Sequence, residues 1–140
     1  MTEVARDSSI KVRLVVTSAD VLPQAISDDL GIAPSKTWLK GETVTPRAKN
    51  THQEHGWVLS VQGQSNELFA ERLIDQLVAA FPTGKLAALS HKYGSSIEIE
   101  ISVIASFYAT GSAPSISLSP AHVAFLAECS GSFDVDLYVG

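Results

Sequence analysis

The sequence has a single cysteine, few charged residues and no long apolar run. Cys129 has no second cysteine with which to form an internal disulfide, which fits a reducing compartment. The chain contains no stretch of about 18 apolar residues, the length needed to span a bilayer. Its first ten residues include Glu3 and Asp7 and lack the apolar segment of a signal peptide. These absences predict a cytoplasmic protein that has no membrane partner.

Charge is scarce and mostly negative. Charged residues make up 18% of the chain, whereas a typical soluble domain has about 25%. The net charge of -5 argues against nucleic acid as a partner, because proteins that bind nucleic acid usually present a basic face to the phosphate backbone. A surface with so few charges favours self-association, so we expect a homodimer.

The length of 140 residues predicts one domain, 1–140, in which residues 1–9 form a loose N-terminal arm. Alternating apolar residues predict strands in IKVRLVVTS, WVLSVQ, SSIEIEISVIASF and SFDVDLYV, and KTWLKG is expected to form a further brief strand. The fourth strand should bury Ile97, Ile99, Ile101 and Val103 and expose Glu98 and Glu100. The last strand should turn Phe133, Val135, Leu137 and Val139 inward.

Helical spacing and capping residues predict three helices. The first has Asp20 as its cap and Gly31 at its end, and the second carries Leu68, Leu73, Leu77 and Phe81 on one stripe. The third begins at Ser119 and Pro120. A further helical turn or two should precede Gly94.

The predicted order of strands and helices contains a βαββαβ series followed by one more helix and strand. This is the series of a ferredoxin-like unit with an added αβ hairpin. The fold class is therefore expected to be α+β, a two-layer sandwich with a mostly antiparallel sheet.

Three segments resemble a family of small, uncharacterised bacterial proteins, the domain of unknown function 4279. They are LGIAPSKTWLKGE (30–42), GWVLS (56–60) and ISLSPAHVAFLAECSGSFDVDLYV (116–139). Their order and spacing carry the resemblance, which extends over most of the chain. The resemblance implies no catalytic residue, cofactor or ligand.

The polar loop at 42–56 is a candidate recognition element. Residues 36–55 contain four cations and two carboxylates, although the whole chain is acidic. Loops of this length in compact domains are usually functional or disordered. The candidate recognition residues are Lys40, Arg47, Lys49, His52 and His55, and the candidate loop anchors are Trp38 and Trp57. The alternative is a mobile connection that the two tryptophans pin to the core.

A second candidate surface is acidic. Glu98 and Glu100 share the outward side of one strand, and Asp134 and Asp136 share that of the last strand. If these strands were neighbours, four carboxylates would converge. We prefer the alternative of a charge-paired sheet, in which a basic strand lies between or beside the acidic ones, because like charges opposite in a ladder are destabilising and Lys11 and Arg13 occupy the matching side of the first strand.

Motifs for catalysis, cofactors and metals are missing. No glycine-rich phosphate loop, nucleophile elbow or zinc motif occurs. Cys129 falls at the expected C-terminal end of a helix, where the helix dipole disfavours a thiolate. We therefore expect no cofactor, no bound metal and no catalytic residue.

Two functions remain from these observations. The first is a non-enzymatic protein-interaction module, such as an immunity or regulatory protein, which recognises a protein partner through the loop. The alternative is a small-molecule or anion-binding protein, or a minor enzyme, in which the 42–56 loop acts as a lid over a pocket walled by Trp38, Trp57, Arg47 and the two histidines.

Overall fold

The computed structural model describes residues 8–63, 68–107 and 113–139. Most of the N-terminal arm expected at 1–9 lies outside the described residues. Ser8 is already buried, and the first strand begins at Ser9.

Five strands and four helices make up the described chain, with a short 3-10 turn between the third helix and the fourth strand. The helix before Gly94 is longer than the turn or two expected, because it has nine residues. In chain order the elements are β1 (Ser9–Ser18), α1 (Pro23–Leu30), β2 (Lys36–Trp38), β3 (His55–Gln62), α2 (Ala70–Ala79), α3 (Lys85–Tyr93), β4 (Glu98–Phe107), α4 (Pro120–Glu128) and β5 (Ser132–Val139).

The five strands form one sheet in the order β2-β3-β1-β4-β5. The pairs β2–β3, β3–β1 and β1–β4 are antiparallel, and only β4–β5 is parallel. The sheet is therefore mixed and mostly antiparallel, and the predicted α+β class is confirmed. The ferredoxin-like assignment of the βαββαβ segment stays a prediction.

One side of the sheet packs against the helices and forms the hydrophobic core. Leu14 pairs with Leu59 on β3 and with Ile101 on β4, so these three side chains point to the helical side. Val15 and Val58 point to the other side and do not belong to the core cluster. The predicted register is confirmed, because Ile97, Ile99, Ile101 and Val103 are buried and Glu98 is exposed. Glu100 faces the same side as Glu98 but is half-buried instead of exposed.

The sequence predicted the N-cap of α4 correctly but not that of α1. Asp20 was expected to cap α1, but this prediction is wrong, because the N-cap is Leu22 and makes no side-chain hydrogen bond. The hydroxyl of Ser18 instead accepts hydrogen bonds from the amides of Asp20 and Val21. The predicted cap of α4 is confirmed, since the Ser119 hydroxyl accepts a hydrogen bond from the amide of His122.

The prediction that the apolar residues of β5 point into the core is wrong for most of the strand. Phe133 packs against the core, but Val135, Leu137 and Val139 are 38%, 58% and 70% exposed. These residues do lie on the helical side, because Val135 pairs with the buried Val103. The helical layer covers only the first part of this edge strand.

Within the described ranges, no helix is long and apolar enough to cross a membrane.

Candidate interaction surfaces

Residues 39–55 form a hairpin that extends β2 and β3 beyond the sheet, and we call it the basic hairpin. Its two arms meet in an antiparallel bridge between Thr43 and Thr51. A backbone bond from Ala48 N–H to Thr45 C=O closes the turn at its end. Other backbone bonds join the arms: Gly41 N–H to His52 C=O (2.9 Å), His52 N–H to Glu42 C=O (2.8 Å) and Val44 N–H to Asn50 C=O (3.1 Å).

Trp57 and Trp38 lie at the base of the basic hairpin in different surroundings. Trp57 is fully buried on the helical side of the sheet, and its indole N–H donates a 2.9 Å hydrogen bond to the Ser27 hydroxyl. Trp38 lies on the opposite side, where its ring covers Gly56, and its N–H donates to the Glu54 carbonyl at 3.1 Å. One indole therefore belongs to the core and the other to the surface.

The cations of the basic hairpin are exposed. Arg47 and Lys49 lie in or next to its turn, and Lys40 lies near its base. Among the residues that the structure describes, no carboxylate forms an ion pair with any of the three. Their charges are thus available to a partner.

The two histidines of the basic hairpin make separate contacts. The His52 ring stacks on Trp38, with 4.6 Å between ring centroids and 16° between the planes. The Nδ1 atom of His55 accepts a 2.9 Å hydrogen bond from the Lys40 amide. Both rings therefore hold the hairpin to the sheet. In the described part of the chain, no group of three or more His, Cys, Asp or Glu residues could hold a metal ion.

The geometry does not gather the residues proposed as pocket walls around one cavity. Trp57 has no exposed surface, the Trp38 ring lies between Gly56 and His52, and Arg47 is at the far end of the hairpin. A shallow cleft beside the hairpin is instead lined by residues of α1, β2 and the hairpin base, among them Gln24, Thr37 and Glu42.

The four carboxylates of the candidate acidic surface lie on neighbouring strands, because β4 pairs with β5. Ser102 pairs with Asp134, so Glu100 and Asp134 occupy diagonal positions on the side that faces away from the helices. We call Glu98, Glu100, Asp134 and Asp136 the acidic face. Burial and the charge of Asp134 raise the pKa of Glu100 above its usual value, although Arg13 acts in the opposite direction.

The charge pairing expected between the basic first strand and the acidic strands occurs only where β1 borders β4. Arg13 lies on β1 beside β4, and its Nη2 atom donates a 3.3 Å hydrogen bond to the Ser102 hydroxyl. Asp134 and Asp136 lie one strand further out and are exposed. In the described residues, neither carboxylate forms an ion pair.

A buried histidine that the sequence analysis missed joins α4 to α2. His122 is 1% exposed, and its Nε2 atom lies 2.6 Å from Asp75 Oδ1. Its Nδ1 atom accepts a 3.1 Å hydrogen bond from the Ser119 amide, so the ring proton is on Nε2 and donates to Asp75. The serine three residues earlier was the available signal, since N-cap Ser commonly pairs with the side chain at N3.

This cluster has the residue types of a catalytic triad but a different arrangement. In a triad the serine hydroxyl donates its proton to the histidine ring. Here the ring nitrogen is occupied by the Ser119 backbone amide, while the Ser119 hydroxyl accepts a hydrogen bond from the His122 amide. The cluster therefore caps and positions α4.

We expect His122→Ala to destabilise the protein by about 0.5–2 kcal/mol, the range for lost helix caps. His122→Gln should cost less, because Gln is a common partner of serine in a capping box and can also reach Asp75. Urea unfolding of the two variants measures the difference. Equal stability of the two variants would contradict the capping role.

Cys129 and the cleft beside it do not indicate a catalytic centre. The thiol is buried, and this burial raises its pKa, as expected for an apolar cysteine rather than a nucleophile. The cleft of about 480 Å³ lies between α2, α3 and α4. Its walls are mainly apolar and include Val78, Phe81, Leu86 and Phe125.

Comparison with known proteins identifies a family but no functional relative. Neither a search of curated proteins nor a search of solved structures found a match. A family model described as "Domain of unknown function (DUF4279)" matches residues 8–140, which include every strand and helix described above. The chain therefore belongs to the family of domain of unknown function 4279.

Proposed function

We propose that the protein is a non-enzymatic interaction module whose basic hairpin binds an acidic surface of a partner protein. An immunity or regulatory protein of the bacterial cytoplasm would act in this way. The resemblance to bacterial proteins supports the bacterial part of the proposal, and the lone cysteine supports the cytoplasmic part.

The observation that carries the proposal is the position of Arg47 and Lys49. Both cations lie at the far end of a hairpin whose arms are joined by backbone hydrogen bonds. Neither is paired with a carboxylate in the described chain. Two unpaired cations on a projecting hairpin match a recognition element better than a connection between strands.

The surrounding charge strengthens this argument. The protein as a whole has a net charge of -5, yet residues 36–55 contain more cations than carboxylates. An acidic partner would be repelled by most of the surface and attracted to the basic hairpin. Such segregation steers the encounter and selects the orientation of the complex.

The hairpin also has a defined attachment to the sheet. The stacking of His52 on Trp38 and the bond from Trp38 to Glu54 fix its base, while Leu39 and Val44 offer exposed apolar surface beside the cations. A preformed loop loses less conformational entropy on binding than an unstructured one. This arrangement supports a role in binding and does not require catalysis.

The test begins with proteins that co-purify with the chain from its native host. For a partner found in this way, Arg47→Glu and Lys49→Glu should each weaken binding, and together by about ten-fold or more at low salt. The loss should shrink at high salt because ions screen exposed charges. Titration calorimetry at two salt concentrations measures both effects.

Lys85→Glu provides the matched control, because it makes the same change of charge at an exposed residue of α3. All of these variants should keep the free energy of unfolding within about 0.5 kcal/mol of the parent. The proposal is wrong if the hairpin reversals and the Lys85 reversal weaken binding equally, or if the partner binds the double variant as it binds the parent.

A further inference from the structure

The strand β5 is exposed over nearly its whole length, although it belongs to the sheet. Seven of its eight residues are exposed and only Phe133 is half-buried. It pairs with β4 on one side, and its other edge has no strand partner among the described residues. A long edge strand with free backbone groups is a template for pairing with another chain.

The two sides of β5 differ in chemistry. Val135, Leu137 and Val139 lie on the helical side and are exposed, whereas Asp134 and Asp136 lie on the other side, where Asp134 is diagonal to Glu100. Since side chains alternate along a strand, a new strand added at this edge would also present two different sides. A strand that complements β5 would therefore carry basic side chains on the side of the aspartates and apolar side chains on the helical side.

We propose that the free edge of β5 binds an extended segment of a partner protein in which basic and apolar residues alternate. The backbone of the segment adds a sixth strand to the sheet, as in recognition by β-augmentation. Its Lys or Arg side chains lie beside Asp134 and Asp136, and its apolar side chains cover Leu137 and Val139. This surface is separate from the basic hairpin, because β2 and β5 are at opposite edges of the sheet.

Charge argues against a second copy of the chain in the two registers that would pair most of β5, those centred on Val135 and on Asp136. In a two-fold antiparallel pairing of β5 with itself, centring on Val135 places Asp134 opposite Asp136 of the other copy. Centring on Asp134 or on Asp136 places that one aspartate opposite the same aspartate of the other copy. Like charges directly opposite in a ladder are destabilising. A basic segment avoids this repulsion and neutralises the acidic face.

The negative charge around Glu100 would favour a cation on the bound segment. Its pKa is raised because burial disfavours the charged form and because Asp134, Asp136 and Glu98 add negative charge around it. Arg13 is the cation that offsets these effects in the free protein. Lysine or arginine side chains on a bound segment would supply the compensation that the outer strand lacks.

A synthetic peptide of eight residues that alternates lysine and valine is the probe for this proposal. Fluorescence anisotropy measures its binding to the full chain, at peptide concentrations at which diffusion measurements show a monomer. Two control peptides replace every lysine by glutamate or collect the lysines and valines into separate blocks. We expect the alternating basic peptide to bind about ten-fold or more tightly than either control.

Protein variants locate the site. Asp134→Asn with Asp136→Asn should weaken binding of the basic peptide, and so should Leu137→Thr, which keeps a residue suited to strands. Asp28→Asn is the matched control, because Asp28 is an exposed aspartate of α1 in the helical layer, on the opposite side of the sheet from the acidic face, and it should bind as the parent does. Arg47→Glu with Lys49→Glu should also leave peptide affinity unchanged, which separates this proposal from that of the hairpin.

Hydrogen exchange decides whether the strand edge is used. Bound peptide should slow exchange of backbone amides in β5. Equal binding of the three peptides, no binding, or binding without protection of β5 would each refute the proposal. Protection of β5 without peptide, together with a dimer in sedimentation that Leu137→Thr dissociates, would identify a second copy as the occupant and refute it as well.

Discussion

Trp57→Ala is expected to lower the free energy of unfolding by about 3–5 kcal/mol, the usual cost of truncating a buried aromatic residue. Trp57 is fully buried on β3, and its ring lies 6.2 Å from that of Phe81. The variant would leave a cavity between the sheet and the helical layer and would leave the Ser27 hydroxyl without its indole donor. Urea unfolding monitored by circular dichroism measures the loss.

Two further variants divide this cost between packing and hydrogen bonding. Trp57→Phe retains most of the buried area but cannot donate to Ser27, whereas Ser27→Ala removes the acceptor and keeps the indole. Each should cost less than Trp57→Ala, because the larger part of the loss comes from the cavity. A cost below about 1 kcal/mol for Trp57→Ala would show that the indole does not support the core.

The core of the sheet could be predicted because its residues alternate strictly. The inward Ile99 and Ile101 of β4 and the outward Glu98 occupy the sides that a period of two assigns to them. The cap of α4 was also predictable, because serine followed by proline is a local signal. Both features depend on neighbouring residues in the chain, and the sequence contains that information directly.

The exposure of β5 could not be predicted from its sequence. SFDVDLYV alternates as cleanly as β4, and the same alternation predicted buried residues in both. Burial also depends on whether a helix covers the strand, which is a matter of strand order and helix length. At the edge of the sheet, the apolar side of β5 extends past the helical layer, so an identical pattern produces an exposed surface.

The surroundings of the two tryptophans show the same limit at the candidate site. Both residues flank the polar loop, and the sequence predicts the same anchoring role for both. The structure separates them because β2 and β3 pair so that Trp38 lies opposite Gly56, on the side away from the helices. The packing of the Trp38 ring on Gly56 depends on the register between β2 and β3, which cannot be read from a single sequence.

Gly56→Ala is expected to destabilise the protein by about 3 kcal/mol, at the upper end of the usual cost of overpacking. A Cβ atom at Gly56 would lie 2.0 Å from Cε2 of Trp38 and 2.1 Å from Cζ2, so the ring would have to move. That movement would break the hydrogen bond from Trp38 to Glu54 and the stacking on His52. The base of the hairpin would then lose its attachment.

A double-mutant cycle with Trp38→Ala tests this explanation. If the clash with the ring is the cause, Gly56→Ala should cost little in a protein that already lacks the ring, and the two changes should be strongly non-additive. Urea unfolding of the four proteins gives the coupling energy. Additive effects would mean that Gly56 is required for another reason, such as strand geometry, and that the packing of Trp38 on Gly56 does not hold the hairpin.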